Sequence, residues 1–207
     1  MFVMKMEVPV ADRRRVSRIE PDAMALRALA HPQRLKMLGL LRLEGPATAT
    51  SLAERLGLNS GATSYHLRQL ARHGFIEDDS ERGNARERWW RAAHESTSIP
   101  PAAGDDDSAD ARMAFAQAAL GWQIAQMQRA VETQPELMPE WQKASTMSDY
   151  SIPLSAMDAA ALVEKLNSVL LEAMASAPRL GDDYPEGVQP VTFILHAFPR
   201  QSEGDNP

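Results

Sequence analysis

The chain has 207 residues, a formal net charge of −6 from 22 Lys+Arg and 28 Asp+Glu, and no cysteine. The absence of cysteine excludes disulfides and thiolate metal ligands, and no apolar run approaches the roughly 20 residues that a membrane-spanning helix needs. The opening MFVMKMEVPV is too short for a signal peptide and lacks a cleavage pattern. We therefore expect a cytoplasmic protein with one domain or two small ones.

Charge is distributed unevenly along the chain. Residues 1–94 contain 16 Lys+Arg and 11 Asp+Glu, a balance of +5, whereas residues 95–207 contain 6 and 17, a balance of −11. Binding to nucleic acid requires a local positive potential rather than a basic total. The N-terminal half is therefore the part that could bind DNA, and the acidic half is not.

An arginine-rich segment and a helix are predicted before residue 46. Residues 1–19 contain four arginines that could form a basic arm on DNA or belong to a disordered tail: Arg13, Arg14, Arg15 and Arg18. A helix is predicted from Pro32, because proline is tolerated at a first helical position, where its missing N–H would have no partner. Leucines at positions 35, 38 and 41 line one face of this helix, and Gly45-Pro46 ends it.

A helix-turn-helix is predicted in SLAERLGLNSGATSYHLRQLARHG, residues 51–74. Gly57 stands where the first helix would reverse into a left-handed C-cap, and Asn59 stands where the N-cap of the second helix belongs. The buried face of the second helix is predicted to consist of Thr63, Leu67 and Leu70. The opposite face can pair with base edges, as arginine does with guanine and glutamine with adenine. We predict a recognition helix over 59–74 that contacts DNA through Ser60, Gly61, Ser64, Tyr65, His66, Arg68, Gln69 and Arg72.

His66 lies nearer the buried side of that helix than the other predicted contacts. It is therefore either a packing residue or one that touches a phosphate. Ser60 and Gly61 at the start of the helix could offer backbone N–H groups to a phosphate.

A β-hairpin is predicted directly after the recognition helix. Two strand-like runs, residues 75–78 and 86–91, are separated by a turn with Gly83-Asn84 at its tip. An arginine-rich hairpin in this place is typical of a wing that holds backbone phosphates while the helix reads bases. The predicted wing covers 75–92, and its DNA contacts are Arg82, Asn84, Arg86 and Arg88.

LRALAHPQRLKMLGLL, followed by SLAERLGLNSGATSYHLRQLARHGFIE and the ERGNARERWW wing, resembles the arsenic-repressor (ArsR) type of winged-helix transcription factor. The resemblance covers residues 20–94 and is closest to longer, actinobacterial-like members with an extra C-terminal domain. It implies a winged helix-turn-helix DNA-binding domain over 20–94 and a regulator that represses rather than activates. Gly61 departs from the residue with a side chain that the family pattern implies there, so a base contact at that position is in doubt.

Many members of the resembled family sense metals through a cysteine pair on the helix before the recognition helix. Residues 49–54 contain no thiol here, so thiolate-based sensing is excluded. A second long helix, predicted over residues 110–133, contains no histidine that could replace it. We therefore expect neither a metal site nor another cofactor.

Residues 95–109 are predicted to be a linker, since they contain Pro100-Pro101, Gly104 and a run of three aspartates. The helix over 110–133 carries two apolar stripes. One stripe is predicted to form a dimer interface and consists of Leu120, Ile124, Met127 and Val131. The other could cover the winged helix of its own subunit and consists of Phe115, Ala118, Ala119 and Trp122. Alternatively, both stripes belong to the core of a single chain.

The remaining residues predict a small strand-helix-strand unit. Residues 150–154 alternate as an edge strand would, Ser155 to Asp158 form a capping box for a helix, and residues 188–198 are strongly β-prone. The two strands could lie parallel within one chain or pair across a dimer, and the sequence leaves this open. A small apolar effector could bind among four side chains that could equally be ordinary core or surface residues: Trp122, Trp141, Tyr150 and His196.

The predicted fold is mainly α with small β elements (α+β): a basic arm over 1–19, a winged helix-turn-helix over 20–94, a linker over 95–109 and a dimerisation domain, with an effector site as a further option, over 110–207. The predicted function is that of a sequence-specific homodimeric regulator on an inverted-repeat operator. The alternative is a winged-helix protein-interaction module, which would have an acidic or apolar recognition face instead of Arg68 and Arg72. No phosphate-binding glycine loop, nucleophile elbow or paired-histidine motif predicts an enzyme.

Overall fold

The computed structural model describes residues 14–82, 87–99 and 106–200. These residues form two compact units. The N-terminal unit contains residues 15–137 and 178–190, and the C-terminal unit contains residue 14, residues 138–177 and residues 191–200. In the described part of the chain, no helix is both long and apolar enough to cross a membrane.

Four helices open the N-terminal unit, and local capping accounts for where each begins. The helices are α1 (Ala23–Leu29), α2 (Pro32–Leu43), α3 (Ala49–Leu56) and α4 (Ser60–Arg72). Their N-cap side chains, which accept hydrogen bonds from otherwise unpaired backbone N–H groups, are Asp22, His31, Thr48 and Asn59. Gly57 ends α3 with a left-handed φ of 63°. The predicted roles of Pro32, Gly57 and Asn59 are therefore confirmed.

Two small sheets complete the winged arrangement. In the first, β4 (Trp89–Ala92) lies between β2 (Ala47–Thr48) and β3 (Ile76–Asp78) and pairs antiparallel with both. In the second, β1 (Arg18–Ile19) pairs parallel with β5 (Ser96–Thr97). The predicted hairpin is thus confirmed in its two strands, while its tip at residues 83–86 lies outside the described residues. β5 occupies part of the predicted linker.

The hydrophobic core of the N-terminal unit joins the four helices to the hairpin. Its fully buried members include Leu29, Met37, Leu52, Leu67, Leu70 and Phe75. Thr63 is also fully buried, and its hydroxyl donates to the carbonyl oxygen of Asn59 at 3.0 Å. The predicted buried face of the recognition helix is therefore confirmed. Because this face is held in the core, the opposite face of α4 is directed outward.

A long helix, α5 (Asp106–Thr133), packs against α1 and α2. It begins four residues earlier than predicted, because the aspartates that were assigned to a linker favour a helix N-terminus. Phe115 packs against the core, and a Cβ added at Gly39 of α2 would lie 3.2 Å from the Trp122 ring. The stripe that contains Phe115 and Trp122 thus covers the winged helix of its own chain, as predicted.

Residues 178–190 follow the last helix in the sequence but pack in the N-terminal unit. Gly181 lies against Gly45, the residue that connects α2 to β2. Both glycines have positive φ, 85° and 84°, and a Cβ on Gly181 would lie only 2.6 Å from the Cα of Gly45. The Gly181 N–H donates to the Tyr184 hydroxyl at 2.9 Å. This contact between two backbones leaves no space for a side chain at position 181.

The C-terminal unit contains two helices, α6 (Pro139–Ala144) and α7 (Ala156–Ser176). Ser155 caps α7 by accepting from the N–H of Asp158 at 3.1 Å, as the predicted capping box required. Arg14 donates to the last carbonyls of this helix, from its backbone N–H to Ala175 and from its Nε to Ala177, both at 3.1 Å. Arg14 therefore caps a helix C-terminus, a role that the predicted basic arm did not include.

The prediction of a strand-helix-strand unit is wrong in its strands. Residues 150–154 and 188–198 form no strand, although α7 lies between them as predicted. Their apolar side chains are largely exposed, with Tyr150 at 83% and Phe193 at 70%. A β-prone segment becomes a strand only when a second backbone pairs with it, and Pro153 and Pro190 each remove a donor from such a ladder. The fold class, mainly α with small sheets, is nevertheless confirmed.

Candidate nucleic-acid interface

The recognition helix α4 displays its predicted contacts to different degrees. Tyr65 is 51% exposed, and Arg68 is exposed as well. Ser60, Gly61 and Arg72 are also exposed, whereas Ser64 and Gln69 are half-buried. This face therefore offers water a guanidinium, a phenol, a hydroxyl and an amide within three turns of helix. Whether each of these residues contacts DNA stays a prediction.

A cleft of about 280 Å³ joins this helix to the rest of the candidate site. It lies where the start of α3, the middle of α4 and the wing meet, and its lining includes Thr48, Thr50, Ser64, Arg68, Glu87, Arg88 and Trp90. The N-terminus of α3 brings backbone N–H groups with a partial positive charge to this cleft. Two guanidiniums and a helix N-terminus suit a phosphate group, and the Glu87 carboxylate in the same lining opposes one.

Thr48 and Thr50 line this cleft, but they were not among the contacts predicted from the sequence. Thr48 accepts from the Ser51 N–H at 3.2 Å, and the Ser51 hydroxyl accepts from the Thr48 N–H at 3.1 Å, which completes a capping box. The pattern Thr48-x-x-Ser51, at the start of the helix that precedes the predicted recognition helix, is the signal that could have identified them. The capping box places the N-terminus of α3 beside the exposed face of α4.

The arginines of the described wing are paired with acidic residues. Arg88 Nε lies 2.6 Å from an Asp78 carboxylate oxygen, and its guanidinium lies 4.2 Å from the centre of the Trp90 ring. Arg91 Nε donates to Glu77 at 2.9 Å. Such exposed ion pairs contribute only about 0–1 kcal/mol, so a phosphate can take over the guanidinium at little cost.

Three further wing contacts were predicted. Arg82 Nε lies 3.7 Å from a carboxylate oxygen of Asp79, which is itself buried. Asn84 and Arg86 lie outside the described residues. The positive charge of the described wing is consequently more strongly balanced by neighbouring carboxylates than the arginine count alone suggested.

His66 contacts His31, the N-cap residue of α2. Its ring lies against that of His31, with centroids 4.5 Å apart and an interplanar angle of 46°. Burial lowers the pKa of His66, and His31 and Arg34 lower it further. Burial also lowers the pKa of His31, and Arg34 contributes to this shift too. The His66 ring therefore packs against His31, and whether His66 also touches a phosphate stays a prediction.

The predicted dimer stripe on α5 is exposed in the single chain. Its four members are between 41% and 47% exposed: Leu120, Ile124, Met127 and Val131. The other apolar stripe of the same helix is covered by α1 and α2. The exposed stripe is thus an apolar surface without a partner in the described chain.

The four predicted effector residues do not fall in one unit. Trp122 belongs to the N-terminal unit, where it lies against Gly39, and the other three belong to the C-terminal unit. There, Tyr150 and His196 are exposed, and Trp141 is half-buried. The effector pocket therefore stays a prediction. Among the described residues, no three side chains of His, Asp or Glu lie close enough to hold a metal ion.

Comparison with known proteins agrees with this geometry. Residues 29–79 match the family model of a helix-turn-helix domain. The chain is 44% identical over 57 residues to the HTH-type transcriptional regulator NmtR of Mycobacterium tuberculosis, an alignment that covers 28% of this chain and 47% of NmtR. The chain thus spans about half the length of the curated relative that it matches.

Two solved structures are also similar to parts of the chain. The homodimeric winged helix-turn-helix DNA-binding domain Mb0332 from Mycobacterium bovis, a possible ArsR-family regulator, is 24% identical, with 49% of this chain and 79% of that chain covered and a TM-score of 0.32. The C80S mutant of MarR from E. coli is 18% identical, with 72% of this chain and 87% of that chain covered and a TM-score of 0.30.

Proposed function

We propose that this chain, whose winged helix-turn-helix resembles the ArsR type, is a sequence-specific DNA-binding regulator of transcription that acts as a homodimer on an inverted-repeat operator. One observation carries the proposal furthest: Arg68 of α4, the start of α3 and Arg88 of the wing surround one cleft. Together they form a continuous surface on which a helix could read bases while its neighbours hold phosphates.

The role of each element follows from its chemistry. Arg68 is exposed near the middle of α4 and would pair bidentately with a guanine in the major groove. The α3 N-terminus, with Thr48 and Thr50, would bind a backbone phosphate. Arg88 would exchange its exposed Asp78 partner for a second phosphate. These two phosphate contacts would fix the register in which α4 reads sequence.

Dimerisation is supported by the exposed stripe on α5. An inverted repeat presents two half-sites about one helical turn apart, so two recognition helices must be held by a two-fold axis. Leu120, Ile124, Met127 and Val131 recur on one helix face and would pack against the same stripe of a second copy. Repression, rather than activation, is proposed from the resemblance to the ArsR type alone.

The test is fluorescence anisotropy with duplexes from the DNA upstream of the protein's own gene, with random duplexes as the control, across a salt series. We expect selective binding whose log affinity falls steeply with log salt. Equal, weak binding to both duplexes would contradict sequence-specific recognition of that DNA. Absence of binding even at low salt would instead favour a protein-interaction module.

Two substitutions distinguish a contact with a base from a contact with a phosphate. Arg68→Ala should cost about 1–3 kcal/mol on the selected duplex and relax base preference at one position, because a base contact is lost. Arg88→Ala should weaken all duplexes alike and reduce the salt slope by about 1. Arg200→Ala, which removes an exposed arginine of the C-terminal unit, is the matched control and should leave selectivity unchanged. Equal, sequence-blind losses from the first two changes would overturn the assigned roles.

A further inference from the structure

The contact between α4 and the start of α2 contains two imidazole rings whose planes are tilted by 46°. His31 precedes α2 and caps it, since its Nδ1 accepts from the Gln33 N–H at 3.2 Å. His66 lies within α4, and its ring centroid is 4.5 Å from that of His31. Tyr65, on the proposed reading face, contacts the edge of the His66 ring, with centroids 5.6 Å apart. The pair thus lies one residue away from the surface proposed to read DNA.

Polar atoms around this pair are buried without hydrogen-bond partners. Within the described residues these atoms are His66 Nδ1, Arg34 Nε and Gln33 Oε1. Native interiors normally pair such groups, so unpaired ones mark a place where stability is given up. A ring nitrogen of this kind is tolerated while the imidazole is neutral and becomes costly once it must be a charged donor.

Among the described residues, the charged side chain that shifts the pKa of both rings is a cation, Arg34. Arg34 opposes protonation of both His31 and His66, and burial opposes it more strongly. No described carboxylate contributes to the pKa of either histidine. Protonation of both rings would place three positive charges at the contact between α2 and α4, two of them on imidazoles whose centroids are 4.5 Å apart.

Charged residues on the other elements packed against α2 and α4 do not contribute to the pKa of either histidine. Arg27 of α1, Glu54 and Arg55 of α3 and Asp110 of α5 are exposed, and Arg112 of α5 donates to the Ser108 hydroxyl. On the hairpin, Glu77 and Asp78 are engaged by arginines of the wing. None of these groups acts on the two imidazoles, so protonation there would not be compensated.

We propose that His31 and His66 form a pH-sensitive joint, which holds the recognition helix on α2 while both rings are neutral and loosens it when they are protonated. This inference rests on the proposed function, because it assigns a regulatory input to the same recognition helix. Acidification is the signal, and the position of α4 is the response.

The direction of the effect follows from the shifts. Each histidine has a pKa below 6.5 in the folded protein, so the unfolded state binds more protons. The stabilisation is fully present above pH 6.5 and is lost as the pH falls through the lowered folded values. The net charge of the protein has the opposite effect on DNA affinity. Acidification makes a protein more positive, and this strengthens its binding to phosphates. Weaker binding at low pH is therefore a distinctive expectation.

The test compares DNA affinity at about pH 7.5 and about pH 5.5 in the wild type and in His66→Gln, which cannot be charged. We expect the wild type to lose about tenfold in affinity for its selected duplex, and His66→Gln to lose less than about twofold. His31→Asn is the second variant, because asparagine retains the N-cap of α2. His73→Gln, at the C-cap of α4 and outside the ring pair, is the control and should behave as the wild type.

A second readout needs no DNA. After correction for intrinsic exchange, which slows on acidification, the protection of α4 amides in the wild type should fall from about pH 7.5 to about pH 5.5, and this fall should be absent in His66→Gln and His31→Asn. Unchanged or tighter DNA binding by the wild type at low pH, or the same loss in both variants, would overturn the joint. If the wild type binds no duplex at pH 7.5, the proposed function fails, while the exchange measurement still decides whether the joint exists.

Discussion

Replacing Arg42 with methionine would test how α2 holds the far end of the wing. Arg42 lies in the last turn of α2 and is largely buried. Its Nε donates to the carbonyl oxygen of His94, and one terminal nitrogen donates to the Thr97 hydroxyl, both at 2.9 Å. His94 follows β4 and Thr97 belongs to β5, so one guanidinium joins a helix to the segment between the two sheets.

The magnitude can be worked from two opposing effects. Burial lowers the pKa of Arg42 from its ordinary value to about 10. This fall corresponds to a desolvation cost of about 3 kcal/mol. Two hydrogen bonds from a charged donor contribute about 1.5–3 kcal/mol each, or about 3–6 together. Methionine loses both hydrogen bonds but also avoids the desolvation cost, so Arg42→Met should reduce the free energy of unfolding by only about 1 kcal/mol.

Alanine provides the contrast. It also removes two buried methylenes that methionine largely replaces, each worth about 0.8 kcal/mol, so Arg42→Ala should cost about 1.5 kcal/mol more than Arg42→Met. The assay is urea unfolding followed by circular dichroism, with amide exchange at Ser96 and Ser98 as the local readout. A loss above about 4 kcal/mol in Arg42→Met, or equal losses in both variants, would refute the balance of effects.

Two further predictions concern packing between distant segments and between copies of the chain. Gly181→Ala should reduce the free energy of unfolding by about 1–3 kcal/mol more than Gly187→Ala, because both glycines have positive φ but only a Cβ at 181 meets another backbone. Equal losses in urea titrations of the two variants would mean that the contact with Gly45 is not formed. Ile124→Lys should convert a dimer to a monomer in sedimentation velocity, because it places a charge in the exposed stripe of α5. Ala125→Lys, which adds the same charge on another face of the helix, should leave the dimer intact, and a dimer that survives Ile124→Lys would place the interface elsewhere.

Local chemistry explains what could be predicted from the sequence. Pro32, Gly57 and Asn59 mark helix boundaries through interactions with residues at most four positions away, so no knowledge of distant segments was needed. The buried face of α4 follows from the helical period in the same way. The hairpin was predictable because its two strands are consecutive in the chain.

The candidate site was only partly accessible in this way. The spacing of Tyr65 and Arg68 on an exposed helix face can be read from the sequence, and so can the presence of arginines in the wing. The charge pairing of Arg88 with Asp78 could not, because it depends on the register between two strands. The cleft between α3, α4 and the wing likewise exists only after three separate elements have been brought together.

Contacts between residues far apart in sequence were decided by the tertiary structure alone. The ring contact of His31 with His66 and the packing of Gly181 on Gly45 depend on how helices and loops are placed in space. Residues 150–154 and 188–198 form no strand for the same reason. Their β-propensity favours an extended backbone, but a strand also requires a second segment that pairs with it. Helices close their hydrogen bonds within one segment, and the sequence by itself therefore predicts them here. Sheets, ion pairs and packing contacts require a second segment, and only the folded chain supplies it.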